Sequence, residues 1–318
     1  MLSGTESKEQ AQKIAAEIGK HYLGRPDLIE LLLTGLLSRG HILLEGVPGV
    51  AKTTLVKAFA GALGVDFQRI QFTPDLLPAD ITGSYVYNMR EQEFDLRKGP
   101  LFSNIVLADE INRAPAKTQS AMLEAMAEQQ VTIEGERHDL HSPYMVLATQ
   151  NPVEQEGVYM LPEAQLDRFL MKLHLGFPRR EVERAMLRRY RKAPAAIEEV
   201  ITAEDILAWQ RAAEEVHISE ELEEYILDLV SFTRKHRSVL LGVSPRASLG
   251  LLRASRALAL VRGRDYVIPD DIRLLAVPIM AHRMVMHSEA ELEGIRAEQI
   301  IHDALKRIAV IRKDAKAS

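Results

Sequence analysis

Residues 45–55 read EGVPGVAKTTL. Glycines followed by lysine and threonine are what a phosphate-cradling loop needs. Glycine lets backbone N–H groups turn inward around phosphate oxygens, and the next helix adds partial positive charge at its first turn. In this reading Gly46, Val47, Pro48, Gly49, Val50 and Ala51 form the cradle, and Lys52 reaches the β- and γ-phosphates of a bound nucleotide. Thr53 holds Mg²⁺ through its hydroxyl, with Thr54 beside it. The general pattern G-x-x-x-x-G-K-[ST] wants glycine where Ala51 stands. Alanine costs nothing there if the backbone is right-handed helical, and about 1–2 kcal/mol if the site needs a positive φ. The competing reading is a strand–turn–helix joint that holds no ligand.

Four further stretches could complete a phosphoryl-transfer site. NIVLADE ends an apolar run on Asp109 and Glu110. Asp109 can hold Mg²⁺ through water, and Glu110 can orient or deprotonate an attacking water. VLATQNP ends on Thr149, Gln150 and Asn151, and an amide there can bond the γ-phosphate or the water without adding charge. LPEAQLDRFL carries Arg168 and SPRASLGLL carries Arg246, the residue type that stabilises charge on a transferring phosphoryl group. Arg246, near the start of a helix, could reach the nucleotide and couple hydrolysis to domain movement. Taken singly, either arginine reads equally as a surface ion pair, and a strand ending in two acids is common.

These residues need elements to position them. HILLE (41–45) and TTLVKAFAGAL (53–63) predict a buried strand, the loop and a helix, the context in which the motif has physical meaning. Further strands are predicted at 66–72, 104–110, 143–152 and 169–177, with a helix over 114–130 and hairpins over 83–98 and 131–141. The first 40 or so residues read as helical, with Ile14, Ile18 and Tyr22 at four-residue spacing. Strands alternating with helices imply a mostly parallel, helix-covered sheet. From about Pro178 the chain reads as helices, with little strand signal. The expected fold is therefore α/β: an αβα core with a parallel sheet and two hairpin insertions over 1–185, then a smaller all-α lid over 186–318.

Composition narrows the class. The chain has 318 residues, no cysteine, a net charge of −5 and 47% apolar residues. Cysteine chemistry is excluded, and the mild acidity argues against broad nucleic-acid binding. No signal peptide or spanning segment is read, so a cytoplasmic location without membrane insertion is expected. His138 and His141 sit in the second hairpin, while His282 and His287 do not share a helix face, so a zinc site is not expected. Arg113 either pairs with an acid or faces a neighbouring subunit's nucleotide.

In this order the five elements resemble the AAA+ ATPases, and within them the MoxR group, over essentially the whole chain. EINRAPAKTQSAMLEAM is the most specific part, and alanine ahead of the lysine is usual in that group. The resemblance implies a homo-oligomer, a hexameric ring with ATP between subunits, so that Arg168 serves the neighbour's nucleotide. It places Leu23 and Gly24 (HYLGR) against the adenine, Asn151 as a first sensor and Arg246 as a second. It also implies a chaperone-like activity on client protein complexes, often with a partner carrying a von Willebrand factor A domain, and hairpins that face the pore or partner. No aromatic–hydrophobic loop stands out in either hairpin, which argues against threading. Two alternatives carry different signatures. A nucleic-acid motor would use Tyr85, Tyr87, Arg90, Arg97 and Lys98 of the first hairpin, but the second is acid-rich. A nucleotide-gated scaffold would not need the set Lys52, Asp109, Glu110, Asn151 and Arg168. A transcriptional activator on this core would need a GAFTGA-like loop, and none is present.

Overall fold

The computed structural model describes residues 4–47, 50–151, 161–189 and 196–310. In chain order its helices are α1 Gly4–Gly19, α2 Pro26–Leu37, α3 Lys52–Ala62, α4 Pro78–Thr82, α5 Ala116–Glu128, α6 Glu163–Leu166 and α7 Arg180–Arg189. They continue with α8 Ala203–Glu214, α9 Glu220–Lys235, α10 Pro245–Val261, α11 Pro269–Met280, α12 Ser288–Leu292 and α13 Ala297–Arg307. The strands are β1 Ile42–Gly46, β2 Phe67–Gln71, β3 Gly83–Asn88, β4 Glu93–Lys98, β5 Ile105–Asp109 and β6 Gln130–Ile133. After them come β7 Glu136–Asp139, β8 Met145–Gln150, β9 Met171–Leu175, β10 Val239–Leu241 and β11 Val285–Met286.

Five strands form one parallel sheet in the order β2-β5-β8-β1-β9. Side chains alternate across it, as the pleat requires. Ile42, Leu44, Ile105, Leu107, Met145, Leu147, Met171 and Leu173 face the helices α1–α3. Leu43, Ile70, Val106, Ala108, Val146 and Ala148 face α5 and the two hairpins. Because both faces are covered, the central strands β1, β5 and β8 read in sequence as largely apolar runs, while the edge strands β2 and β9 carry polar residues. The hairpins are β3/β4 and β6/β7, joined by the Tyr85 hydroxyl donating to Glu136 at 2.6 Å.

The single helical stretch expected before residue 40 is two helices. Pro26 opens the second, where its missing N–H is not needed, and Tyr22 lies in the link between them. Towards the C-terminus the expected helices form, along with a two-strand pair, β10/β11, that the sequence reading missed. Runs of three and two residues are too short to show a period. The buried apolar cluster does not stop at 185/186: it runs from Leu32 and Leu36 of α2 into Trp209, Leu251, Leu258 and Leu275. Polar contacts follow the same path. Gln210 Nε2 donates to Leu36 O at 2.8 Å, and Arg262 grips both carboxylate oxygens of Glu30 at 2.8 and 2.9 Å. Buried Asp271 accepts from Arg264 at 2.7 and 2.8 Å and from its own helix start at Ile268 N, 3.0 Å.

Two histidines, buried His41 and partly buried His282, pin the sheet's amino-terminal end. His41 accepts from Val146 N at 2.9 Å through Nδ1, so Nε2 carries the proton and donates to Met126 O at 2.9 Å. Burial holds its pKa down to about 4, and His282, beside Phe169 O, down to about 3. An unfolded chain therefore takes up these protons first as pH falls through about 6.5, and the folded state loses stability below that point. Between pH 7 and 5.5 the loss is expected to reach about 2–3 kcal/mol for the two together. Urea unfolding midpoints across that range check it. A flat profile, or a His41→Gln chain with an unchanged slope, contradicts it.

Candidate active site

In a parallel sheet every carboxyl end lies on one edge, and the proposed phosphate chemistry gathers there. β1 ends at Gly46, where an added Cβ would meet the Leu175 carbonyl oxygen at 2.3 Å. Glycine is therefore required by the close approach of β9 as well as by any phosphate. Pro48 and Gly49 lie outside the described residues. Val47 is half-buried, Val50 is buried, and Thr53 and Thr54 lie in the first turn of α3. Ala51 adopts φ 60°, ψ 29°, the left-handed conformation. Of the two possibilities left open by the sequence, the strained one is realised, at about 1–2 kcal/mol.

Lys52 Nζ donates to Gly46 O at 2.5 Å. Burial lowers its pKa, against the opposing pull of the Asp109, Glu110 and Glu45 charges. Glu45 is itself a hub. Burial pushes its pKa up, but His174 at 2.8 Å and Lys172 at 2.7 Å on β9 outweigh this and bring it to about 2.

The acidic pair sits at the end of β5. Thr149 Oγ1 donates to Asp109 Oδ1 at 2.6 Å and accepts from the Glu110 N–H at 2.8 Å, so one hydroxyl on β8 orients both acids. The other Asp109 oxygen accepts from Arg69 at 2.6 and 3.0 Å. Glu110 is left-handed, at φ 56° and ψ 50°. Its carboxylate accepts from Gln71 Nε2 at 2.8 Å and from Arg113 at 2.9 Å, so Arg113 pairs with an acid. Asn151 emerges buried from β8, whose neighbours in the sheet are β5 and β1, and so lies between the acids and the loop. Arg69 and Gln71 were not foreseen, because the β2/β5 register, and no spacing in the chain, brings them there.

Beside the loop lies a cavity of about 690 Å³. Leu23 and Gly24 line it, together with Tyr22, Val50, Phe177 and Met186. Its apolar walls suit a flat heterocycle. Among the described residues no group of three or more His, Cys, Asp or Glu side chains could hold a metal ion by itself. The hydroxyl and carboxylate donors of Thr53 and Asp109 fit a Mg²⁺ ion held by few protein oxygens and completed by phosphates and water.

The two predicted arginines lie elsewhere. Leu170 N donates to His41 O at 2.8 Å, and Ile42 pairs with Met171. Residues 167–170 therefore flank the amino-terminal end of β1, on the order of 15 Å along the strand from the glycine loop. Arg168 lines a cavity of about 380 Å³ there with Arg39, Arg246, Arg253 and Arg283. Arg246 pairs with Asp167 at 3.5 Å, and Ser244 Oγ donates to the same carboxylate at 3.0 and 3.1 Å. Among the described residues Arg168 Nε is buried and has no acceptor. The predicted set is thus split between opposite edges of one sheet.

The β3/β4 register pairs Tyr87 with Phe94, their rings 5.2 Å apart, and both are about half exposed or more, at 49% and 67%. Exposed Met89 lies in the turn that follows β3, and exposed Val86 points to the other face of the hairpin. Residues distant in sequence became neighbours only once the register was fixed.

The sheet order, the loop between β1 and α3 and the acids closing β5 define an AAA-type ATPase, and comparison with known proteins agrees. Residues 41–171 match the ATPase family associated with various cellular activities (AAA), and 231–304 match the AAA lid domain. A crystal structure from Cytophaga hutchinsonii, provisionally designated an ATPase, superposes with a TM-score of 0.92 at 44% identity, covering 97% of each chain. The chain is 50% identical to the uncharacterized protein YeaC of Bacillus subtilis, over 94% of both. It is 46% identical to Chaperone MoxR1 of Mycobacterium tuberculosis, over 94% of this chain and 82% of that one. The chain belongs to the MoxR group of AAA+ ATPases. It is a nucleotide-binding, chaperone-like ATPase, and among its described residues no helix is long and apolar enough to cross a membrane.

Ala51→Gly is expected to stabilise the fold by about 1 kcal/mol by releasing the left-handed strain. Thermal unfolding of the two chains tests this, and a lower Tm in the glycine variant would contradict the conformation at Ala51.

Proposed function

We propose that the chain is a Mg²⁺-ATP-hydrolysing remodeller of protein complexes that works as a closed ring, with each nucleotide bound between two subunits. The separation of the site residues into two groups carries this reading. One edge of the sheet offers the loop, Lys52, Thr53, Asp109, Glu110 and Asn151; the opposite edge offers Arg168 and Arg246. A chain with complementary half-sites on opposite edges can complete them by head-to-tail contact, and such contacts make a ring when the rotation between subunits closes. Six subunits is the stoichiometry that the resemblance implies.

In such a site the cradle and Lys52 hold the phosphates, and Asp109 and Thr53 hold Mg²⁺, which supplies charge neutralisation on the transferring group. Glu110 takes the proton of the attacking water once its bonds to Gln71 and Arg113 rearrange. Arg168, with Arg246, meets the developing charge from the neighbouring subunit. The division into a core over 1–185 and a lid over 186–318 belongs to this reading, with the shared apolar cluster keeping the lid attached. Clients, and a partner carrying a von Willebrand factor A domain, would engage the hairpin face that bears Tyr87, Met89 and Phe94.

That same surface, with Arg90, Arg97 and Lys98 nearby, favours a second reading, a motor on single-stranded nucleic acid. ATPase stimulation by DNA or RNA that falls steeply with salt would select it.

Turnover per mole should rise with protein concentration and saturate. Arg168→Ala should remove roughly 10³-fold of it, while Glu110→Gln still binds ATP. Concentration-independent turnover by a species of monomeric mass, measured with ATP present, would sink the between-subunit site.

A further inference from the structure

Two adjacent residues of the lid grip the backbone on both sides of Arg168. Arg283 is buried, its side chain only 3% exposed. Its Nη2 donates to Phe169 O at 2.8 Å and to Asp167 O at 3.3 Å, the carbonyls that flank Arg168 in the chain. Its Nε pairs with the Asp167 carboxylate at 3.0 Å, and Nη1 donates to Leu170 O at 3.5 Å and, one helical turn back, to Ile279 O at 2.6 Å. His282, partly buried, donates from Nε2 to the same Phe169 oxygen at 3.0 Å. Asp167 in turn holds the helical domain's other arginine, through the direct pair with Arg246 and through Ser244, the N-cap of α10.

A planar guanidinium with its donors spent on fixed carbonyls and one carboxylate is a rigid bracket. These bonds leave residues 167–170 little freedom to shift independently of α10 and the end of α11. The printed donor bonds of Arg283 and His282 go to backbone carbonyls of residues 167, 169, 170 and 279, so what they fix is the placement of Arg168 and, through Asp167, of Arg246.

We propose that Arg283 and His282, acting through Asp167, are positioning residues that make Arg168 and Arg246 a single unit carried by the lid. A lid movement in one subunit then shifts both arginines together relative to the neighbour's nucleotide. This rests on the between-subunit reading above, and the test separates the two. A displacement of the order of 1 Å in such a group costs roughly 10²-fold in rate.

Arg283→Met rings should therefore bind a fluorescent ATP analogue about as tightly as the parent, yet turn over ATP roughly 10²-fold more slowly. Mixed rings made by co-expression with Glu110→Gln provide a readout that a merely structural role would not move. The Glu110→Gln subunit has a dead site but intact arginines, and the Arg283→Met subunit has an intact site. In random mixing about a quarter of interfaces join the two productively, so activity should return towards a quarter of the parent's. Mixed rings of Arg168→Ala with Glu110→Gln serve as the control. If the control recovers and the Arg283→Met mixture does not, or if Arg283→Met alone keeps near-parental turnover, the positioning role is overturned. If the control also fails to recover, the between-subunit reading falls, and the proposal with it. Should Arg283→Met not fold, Asp167→Ala, whose side chain is partly exposed, carries the same expectations and is read by the same mixtures.

Discussion

The direction of five parallel strands governs everything else in this molecule. Parallel pairing puts every carboxyl end on one edge and every amino-terminal end on the other. The order β2-β5-β8-β1-β9 then sets neighbours: acids from β5, a threonine and an asparagine from β8, the loop from β1 and a basic pair from β9. No bond inside the site would hold these groups together without that sheet. Thr149 illustrates the dependence. Its hydroxyl bridges Asp109 and the Glu110 amide only because β8 lies beside β5 in the register that pairs Ala108 with Ala148.

On this frame the site stores strain at two points, Ala51 and Glu110, both left-handed and neither glycine. Each ends a buried strand or opens a helix where the chain must reverse direction within two or three residues. The surrounding core is apolar and buried on both faces, so it has the packing energy to hold such conformers. Glu110 is held further by Gln71 and Arg113, which leaves its carboxylate in a defined place but bonded to groups it must release to act as a base.

How much of this was legible in the sequence follows from the same physics. β1, β5 and β8 were plain because burial on both faces forces continuous apolar runs, and α3 and α5 because their helix formers are bounded by glycine or proline. The loop, Lys52, the acids and Asn151 were legible because each sits at a strand end that the sequence marks. What depends on register was not. Gln71 and Glu110 are 39 positions apart in the chain, as are Thr149 and the Glu110 amide. The Tyr87–Phe94 pair escaped notice for the same reason. The split of the arginines to the opposite edge was hidden too, since a one-dimensional reading orders the residues but not the edges. His282 was weighed only against His287 as a metal pair, whereas its partner is a carbonyl in the arginine segment.

The lid's attachment follows from these contacts. An all-helical unit joined by a flexible link would be free to choose its angle, as small inter-domain interfaces allow. Here α10 packs along α2 and shares one apolar cluster with the core. Arg262 and Gln210 tie it to α2, and Arg283 ties it to the segment that leads into β9. Breaking the Arg283 contacts would leave a buried charge uncompensated, and breaking the Gln210 bond a buried polar group unpaired, which makes partial detachment costly. The lid is therefore poorly suited to swing freely over its own subunit's phosphate loop. It is well suited to pass small rigid displacements to the edge of the sheet where Arg168 and Arg246 stand.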